Sequence, residues 1–153
     1  MKKNAFTLLE LLVVISILGI LVAVILPNLV GVRARARDSA LKNDIRQLKT
    51  ALRMYYNDNQ KYPPSDGSGN IIGCGATGAS VCPNNDGSFG IGTLLYMKEM
   101  PTSEEYSYSS VSDGDDFLLS TLLENASDSD IEDSIAHCLV ETPIASNYYV
   151  CAD

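Results

Sequence analysis

Charge disappears from the chain between residues 11 and 32. At about 1.5 Å per residue, those twenty-two mostly apolar positions make roughly 33 Å of helix, enough to cross a hydrocarbon core of about 30 Å. Beyond them the pattern turns periodic. Leu41, Ile45, Leu48, Leu52 and Tyr55 recur at i, i+4, i+7, i+11 and i+14, one stripe of a 3.6-residue helix with Lys and Arg on its other face. No break signal separates the two stretches. Asn57-Asp58-Asn59 and then Lys61-Tyr62-Pro63-Pro64 supply the stop, because proline disfavours helix in the residue before it and cannot continue one. The spacing therefore predicts one helix of about fifty residues and about 80 Å, apolar all round in its first half and amphipathic in its second. Gly19 and Pro27 punctuate the apolar half, and Pro27 removes the hydrogen bond to the Ala23 carbonyl, so a kink or loosening is expected there.

After Pro64 the elements shorten. Residues 65–92, rich in Gly, Asn, Asp and Ser, read as a long ordered loop, and a stretch of that length needs tying down. Residues 92–97 read as a short helix before Pro101. Residues 106–111 alternate with period two, Asp113-Gly114 is a hairpin signal, and residues 117–123 read as the next strand. Ser129-Asp130-Ile131-Glu132 fits a capping box opening a helix through about Leu139, and residues 148–151 read as a closing strand. The fold class expected is α+β, a long helix packed by its second half on a small antiparallel sheet.

One carboxylate, Glu10, stands at the front of the apolar run. Placed in hydrocarbon it costs on the order of 2.5–3.5 kcal/mol, so it requires a partner or a role. The other charges are segregated. Residues 33–61 hold eight bases (Arg33, Arg35, Arg37, Lys42, Arg46, Lys49, Arg53, Lys61) against Asp38, Asp44 and Asp58, a net of +5; residues 63–153 hold fifteen acids against Lys98, a net of −14. An acidic head argues against nucleic acid as its partner, because phosphate contacts need Lys and Arg. The helical placement of the basic stripe suggests that it faces acidic heads.

Ala5-Phe6-Thr7-Leu8-Leu9-Glu10, after a short basic leader and before the apolar run, resembles the class III signal of type IV pilins and type II secretion pseudopilins. The resemblance implies cleavage by a prepilin peptidase between Ala5 and Phe6, with Ala5 where the family usually has Gly, and methylation of the new amino terminus. It implies residues 1–5 as leader, 6–32 as transmembrane and assembly helix, 33–61 as the amphipathic half of that helix, and 62–153 as an acidic head. An ordinary signal peptide would have an apolar core of 7–15 residues and a small-x-small site after it, which this run lacks; an ordinary single-pass anchor is the remaining alternative. Cleavage would create an ammonium at Phe6, four residues from Glu10 on the same helix face. Opposite charges in a poor solvent offset part of each other's desolvation when they meet. The resemblance implies that they meet between subunits, setting axial register; pairing within one helix satisfies the same chemistry, and the spacing leaves both open. The same family resemblance makes Gly19 and Pro27 a segment that melts when subunits pack.

Lys61-Tyr62-Pro63, the run Leu95-Tyr96-Met97-Lys98-Glu99-Met100-Pro101 and the 106–117 hairpin are similar in order to the major pseudopilin and to several pilins. The head shows no clear copy of the pseudopilins' calcium loop. The function expected is thus a structural subunit of an extracytoplasmic type IV pilus-like filament, serving adhesion, motility or DNA uptake; the alternatives are a major-type pseudopilin of a type II secretion system and a monomeric membrane-anchored binding module. The implied partners are further copies of the chain in a homopolymer, the prepilin peptidase, an inner-membrane assembly platform and the membrane itself. The precursor would sit in the inner membrane, single-pass with its head outside the cytoplasm, and the assembled filament at the cell surface or in the periplasm.

Four cysteines in an extracytoplasmic head favour disulfides over thiols. Three pairings are possible; Cys74–Cys82 and Cys138–Cys151 are favoured because each closes a short loop, and the second resembles the C-terminal disulfide loop of pilins. No low-pKa thiol is suggested, because no Lys or Arg adjoins any cysteine. Zinc finds no CxxC spacing, and the single histidine, His137, stands beside Cys138. Asp113, Asp115 and Asp116, and separately Asp128, Asp130, Glu132 and Asp133, invite a calcium reading, but neither group has EF-hand spacing, and a solvated acidic face is the simpler account. Asn125-Ala126-Ser127 matches a glycosylation sequon. No catalytic constellation and no cofactor site is expected.

Overall fold

The computed structural model describes residues 7–102 and 104–152, without the side chains of residues 26–30 and 112. Its first element is α1, Leu8–Asn59, 52 residues long. The helix assignment runs through Gly19 and Pro27 without interruption; the surroundings of the Pro27 side chain lie outside the described residues, and a Cβ at Gly19 would meet nothing. The chain divides into two compact units, Met1–Ala36 and Arg37–Asp153, and α1 contributes to both.

In the first unit the stretch Leu8–Ile25 has mean hydropathy 3.0 and none of it is buried, so it is long and apolar enough to cross a membrane. Its one hydroxyl, Ser16, donates back to the Val13 carbonyl at 2.8 Å, so that hydroxyl is not left bare on the apolar surface.

The second unit is the head, built on the C-terminal half of α1. Ile45, Leu48, Ala51, Leu52 and Tyr55 are buried along one stripe, as the 3.6 periodicity requires. Gln60, at φ 57°, ends the helix: its amide donates to the Tyr56 carbonyl at 2.7 Å, a left-handed C-terminal cap placed just ahead of Pro63-Pro64. Three antiparallel sheets follow: β1 (Ile72–Cys74) with β2 (Ser80–Val81), β3 (Phe89–Ile91) with β4 (Leu94–Met97), and β5 (Ser107–Val111), β6 (Asp116–Leu122) and β7 (Asn147–Cys151) in sequential order. A short α2, Ser129–His137, separates β6 from β7. The architecture is a type IV pilin-like α+β fold, a long apolar helix followed by small antiparallel sheets.

Three expectations change. Residues 65–92 are not structureless: they form β1, β2 and β3, tied by the Cys74–Cys82 disulfide. Residues 92–97 are a strand rather than a helix. Gly92 turns the chain at φ 57°, and Gly90 lets β4 approach so closely that a Cβ there would collide with the Leu94 carbonyl. Tyr96 then packs at a tilt into a cluster with Tyr55 and Phe89, ring centroids 5.4 and 5.2 Å away. That tertiary packing overrides the helix preference of Leu and Met. At α2 the cap lies one residue earlier than the expected box: the Asp128 side chain accepts from the Asp130 amide, and the helix stops at His137.

Candidate assembly site

Ala5 and Phe6, the expected processing site, lie outside the described residues. The polar contacts of Thr7 with Glu10 are reciprocal. The Glu10 amide donates to Thr7 Oγ1 at 3.2 Å, while Glu10 Oε2 accepts from the Thr7 amide at 3.0 Å and from Thr7 Oγ1 at 2.8 Å. This is a capping box: Thr7 is the N-cap of α1 and Glu10 its third residue, and together they satisfy helix-end amides that have no intrahelical partner. Glu10 is therefore more than a charge seeking an ammonium. The Thr-x-x-Glu spacing at 7–10 was the available signal for its second role.

Behind the cap, apolar side chains cover every face of the helix. Leu8, Leu9, Leu11, Leu12, Ile15, Leu18, Leu21 and Val24 are all exposed, although they are spread around more than one stripe. A helix that is apolar all round belongs in lipid or among other helices rather than in water. Glu10 therefore enters such surroundings as a carboxylate already hydrogen-bonded at one oxygen, which lowers the cost of its burial before any charge partner arrives.

On the head, the basic stripe has local uses. Arg37 forms a bidentate pair with Glu124, Nε to Oε1 at 2.5 Å and Nη2 to Oε2 at 2.6 Å. Lys42 Nζ bridges Asp128 and Asp130 at 2.9 and 2.8 Å. Burial alone would lower the Lys42 ammonium, but its hydrogen bonds to Asp130 and Asp128 outweigh this and move it upward. Arg46 lies over the Tyr148 ring, and Lys61 pairs with Asp113 at 2.7 Å. Part of the stripe thus meets the acidic head of its own chain. Among the described residues Arg33 and Arg35 make no ion pair.

Asp38 was not singled out from the sequence, yet it is 1% exposed. Its two oxygens accept the backbone amides of Glu124 and Asn125 at 2.8 and 2.9 Å, fixing the turn after β6 to α1. Asp38 stands three residues before Leu41, so it continues the apolar stripe toward the N-terminus; a carboxylate on a buried stripe was the legible sign.

The cysteines pair Cys74–Cys82 and Cys138–Cys151, with no free thiol. The calcium candidates are not brought together. Asp113 is held by Lys61, Asp116 Oδ1 accepts the amides of Phe117 and Ala152, and Asp115 is exposed. Among the described residues no group of three or more metal-type side chains converges.

Residues 1–26 match the family model of the prokaryotic N-terminal methylation motif. The chain is 45% identical over 65 residues to the type II secretion system core protein G of Aeromonas hydrophila, covering 42% of this chain and 46% of that protein. It is 46% identical over 65 residues to the protein of the same name from Vibrio cholerae, covering 42% and 44%. It is 34% identical over 61 residues to the type IV major pilin protein PilA of Myxococcus xanthus, covering 40% and 28%. The chain spans less than half the length of these relatives. No solved structure matches.

Proposed function

We propose that this chain is a pseudopilin, the repeating subunit of a type II secretion pseudopilus, with a non-enzymatic, structural role. The observation that carries the reading is the capped, wholly exposed apolar helix Leu8–Ile25 inside a matched N-terminal methylation motif. Such a surface gains its stabilisation only when lipid or other helices cover it, at roughly 25 cal/mol per Å² of apolar area removed from water. The similarity to core protein G, stronger and longer than that to the pilin, moves the reading from the pilus first expected to the secretion alternative.

In this reading a prepilin peptidase cuts before Phe6, the precursor waits in the inner membrane with its head outside the cytoplasm, and an assembly platform stacks the apolar helices. Glu10 keeps its cap and takes the amino terminus of a neighbour as charge partner. The test has two arms. Mass spectrometry of membrane and filament fractions should find a mature chain that begins with N-methylated Phe6; a mature terminus elsewhere overturns the processing step. Deleting the chain in its own host should then abolish export of secreted enzymes while leaving surface pili in place. Loss of pili with normal secretion would return the assignment to the pilus subunit, which the similarity to PilA keeps as the second reading.

A further inference from the structure

The uncharged run ends at Val32, and Arg33 and Arg35 follow at once on α1. Both are exposed, with only Ala34 between them, and both belong to the first compact unit, Met1–Ala36. Glu10 is the one acid in the sequence of that unit, and it stands at the opposite end of the apolar span. Among the described residues neither arginine makes an ion pair, whereas Arg37, the next base along the helix, is held by Glu124. The monomer thus ends its apolar span on two guanidiniums that its own acids do not neutralise.

Residues two apart on an α-helix are offset by about 3 Å along the axis and about 200° around it. Arg33 and Arg35 therefore occupy one level on nearly opposite faces, a collar rather than a patch. A protein partner lies against one face of a helix; a bilayer surrounds it. The level fits as well. Residues 11–32 cover roughly 33 Å, so a span that fills a hydrocarbon core of about 30 Å leaves both guanidiniums among the headgroups. There the planar fork of a guanidinium matches two oxygens of a phosphate. Bases usually collect on the cytoplasmic side of a span, and with the head outside the cytoplasm these two lie on the other side. An anion in that leaflet offsets the cost of placing them there.

We propose that Arg33 and Arg35 form a binding collar for anionic phospholipids, each guanidinium taking a headgroup phosphate of the leaflet on the head's side. A zwitterionic headgroup neutralises its phosphate with its own ammonium, and an anionic one leaves the charge for the protein, so the collar selects anionic lipid. The proposal rests on the membrane-held precursor of the reading above and gives that precursor a lipid preference.

The experiment uses the full chain in vesicles of four parts phosphatidylcholine to one part phosphatidylglycerol. Every chain carries Lys2→Gln and Lys3→Gln, so that the leader bases attract no lipid. The lipid shell cut out with each chain by styrene–maleic acid copolymer should hold phosphatidylglycerol enriched about threefold over the vesicle. Adding Arg33→Gln and Arg35→Gln should return the shell to the vesicle's ratio, and Arg33→Lys with Arg35→Lys should keep most of the enrichment. High salt should weaken it, because the charges are at the surface. Equal enrichment around the glutamine variant, enrichment indifferent to salt, or its loss to inorganic phosphate at constant ionic strength would each overturn the collar and leave the pseudopilin reading intact. A chain that alkaline carbonate strips from the vesicles overturns both, because both need a helix that spans the bilayer.

Discussion

The two halves of α1 share one helix but not one environment. From Leu8 to Ile25 every side chain is exposed; from Ile45 to Tyr55 one stripe is buried against the head's own strands. The second half has its partner in the same chain, and the first half does not. A substitution in the second half is therefore felt by the isolated monomer, and one in the first half only when copies or lipid surround it.

Glu10 offers the sharpest separation, with the largest effect. Glutamine can take the third position of a capping box as well as glutamate, so Glu10→Gln keeps the cap and removes only the charge. Thr7→Ala does the reverse, at roughly 0.5–2 kcal/mol for the lost N-cap. Filaments should disappear in Glu10→Gln, with cleavage and membrane insertion unchanged, and should persist at reduced yield in Thr7→Ala. Electron microscopy of sheared material decides it: normal filaments from Glu10→Gln would end the charge-pair account and leave the cap as the reason for the residue.

The next contrast pairs Leu48→Ala with Ile17→Ala. Leu48 is wholly buried in the head, and its truncation should cost about 2–5 kcal/mol in thermal or denaturant unfolding. Ile17 is half exposed with nothing packed on it in the monomer, so Ile17→Ala should leave head unfolding unchanged and lower filament yield. An equal loss of head stability from both would mean that the two halves are not energetically separate.

These contrasts also mark what the sequence could disclose. The long helix, its buried stripe and the β5–β6 hairpin follow from periodicity and turn chemistry, which are local. The β4 strand did not, because Leu94, Leu95 and Met97 favour helix in isolation, and the strand exists through pairing with β3 and the tilted packing of Tyr96 on Tyr55 and Phe89. The use of Arg37 and Lys42 within their own chain depends on where the turn after β6 lands, some 86–88 residues away. Glu10 was legible as a site, but its partner Thr7 was read as part of a signal and not as a cap.

Asp38 lies at the N-terminal edge of the head, where the environment of α1 changes. Its carboxylate serves two backbone amides, and a carboxamide can serve only one with its oxygen while presenting its own donor to the other. Asp38→Asn should destabilise the head by about 1–3 kcal/mol, and hydrogen exchange should speed up at the amides of Glu124 and Asn125 before it does in the rest of β6. Uniform acceleration across the head would show that the contact has no local role.

The smallest effects come from two head carboxylates shifted in opposite directions. Hydrogen bonds from Arg37, and then its charge, hold Glu124 below the usual carboxylate range. Burial, reinforced by the charges of Glu105 and Glu99, pushes Asp44 above it. A depressed carboxyl contributes stability above its unfolded pKa and loses it as pH falls through the folded value; a raised one is best tolerated below its unfolded pKa, and the head loses stability as pH rises through the folded value. At pH 7 both groups are ionised, so Glu124→Gln should lower the melting temperature of the head and Asp44→Asn should raise it. At about pH 3, where carboxyls of ordinary pKa near 4 carry most of their protons, both differences should shrink. Melting curves of the two variants against wild type across that range measure this directly. If Asp44→Asn lowered the melting temperature at pH 7, the groove around Asp44, Glu99 and Glu105 would have to supply a cation, and the picture of an uncompensated acidic cleft on the head would be wrong.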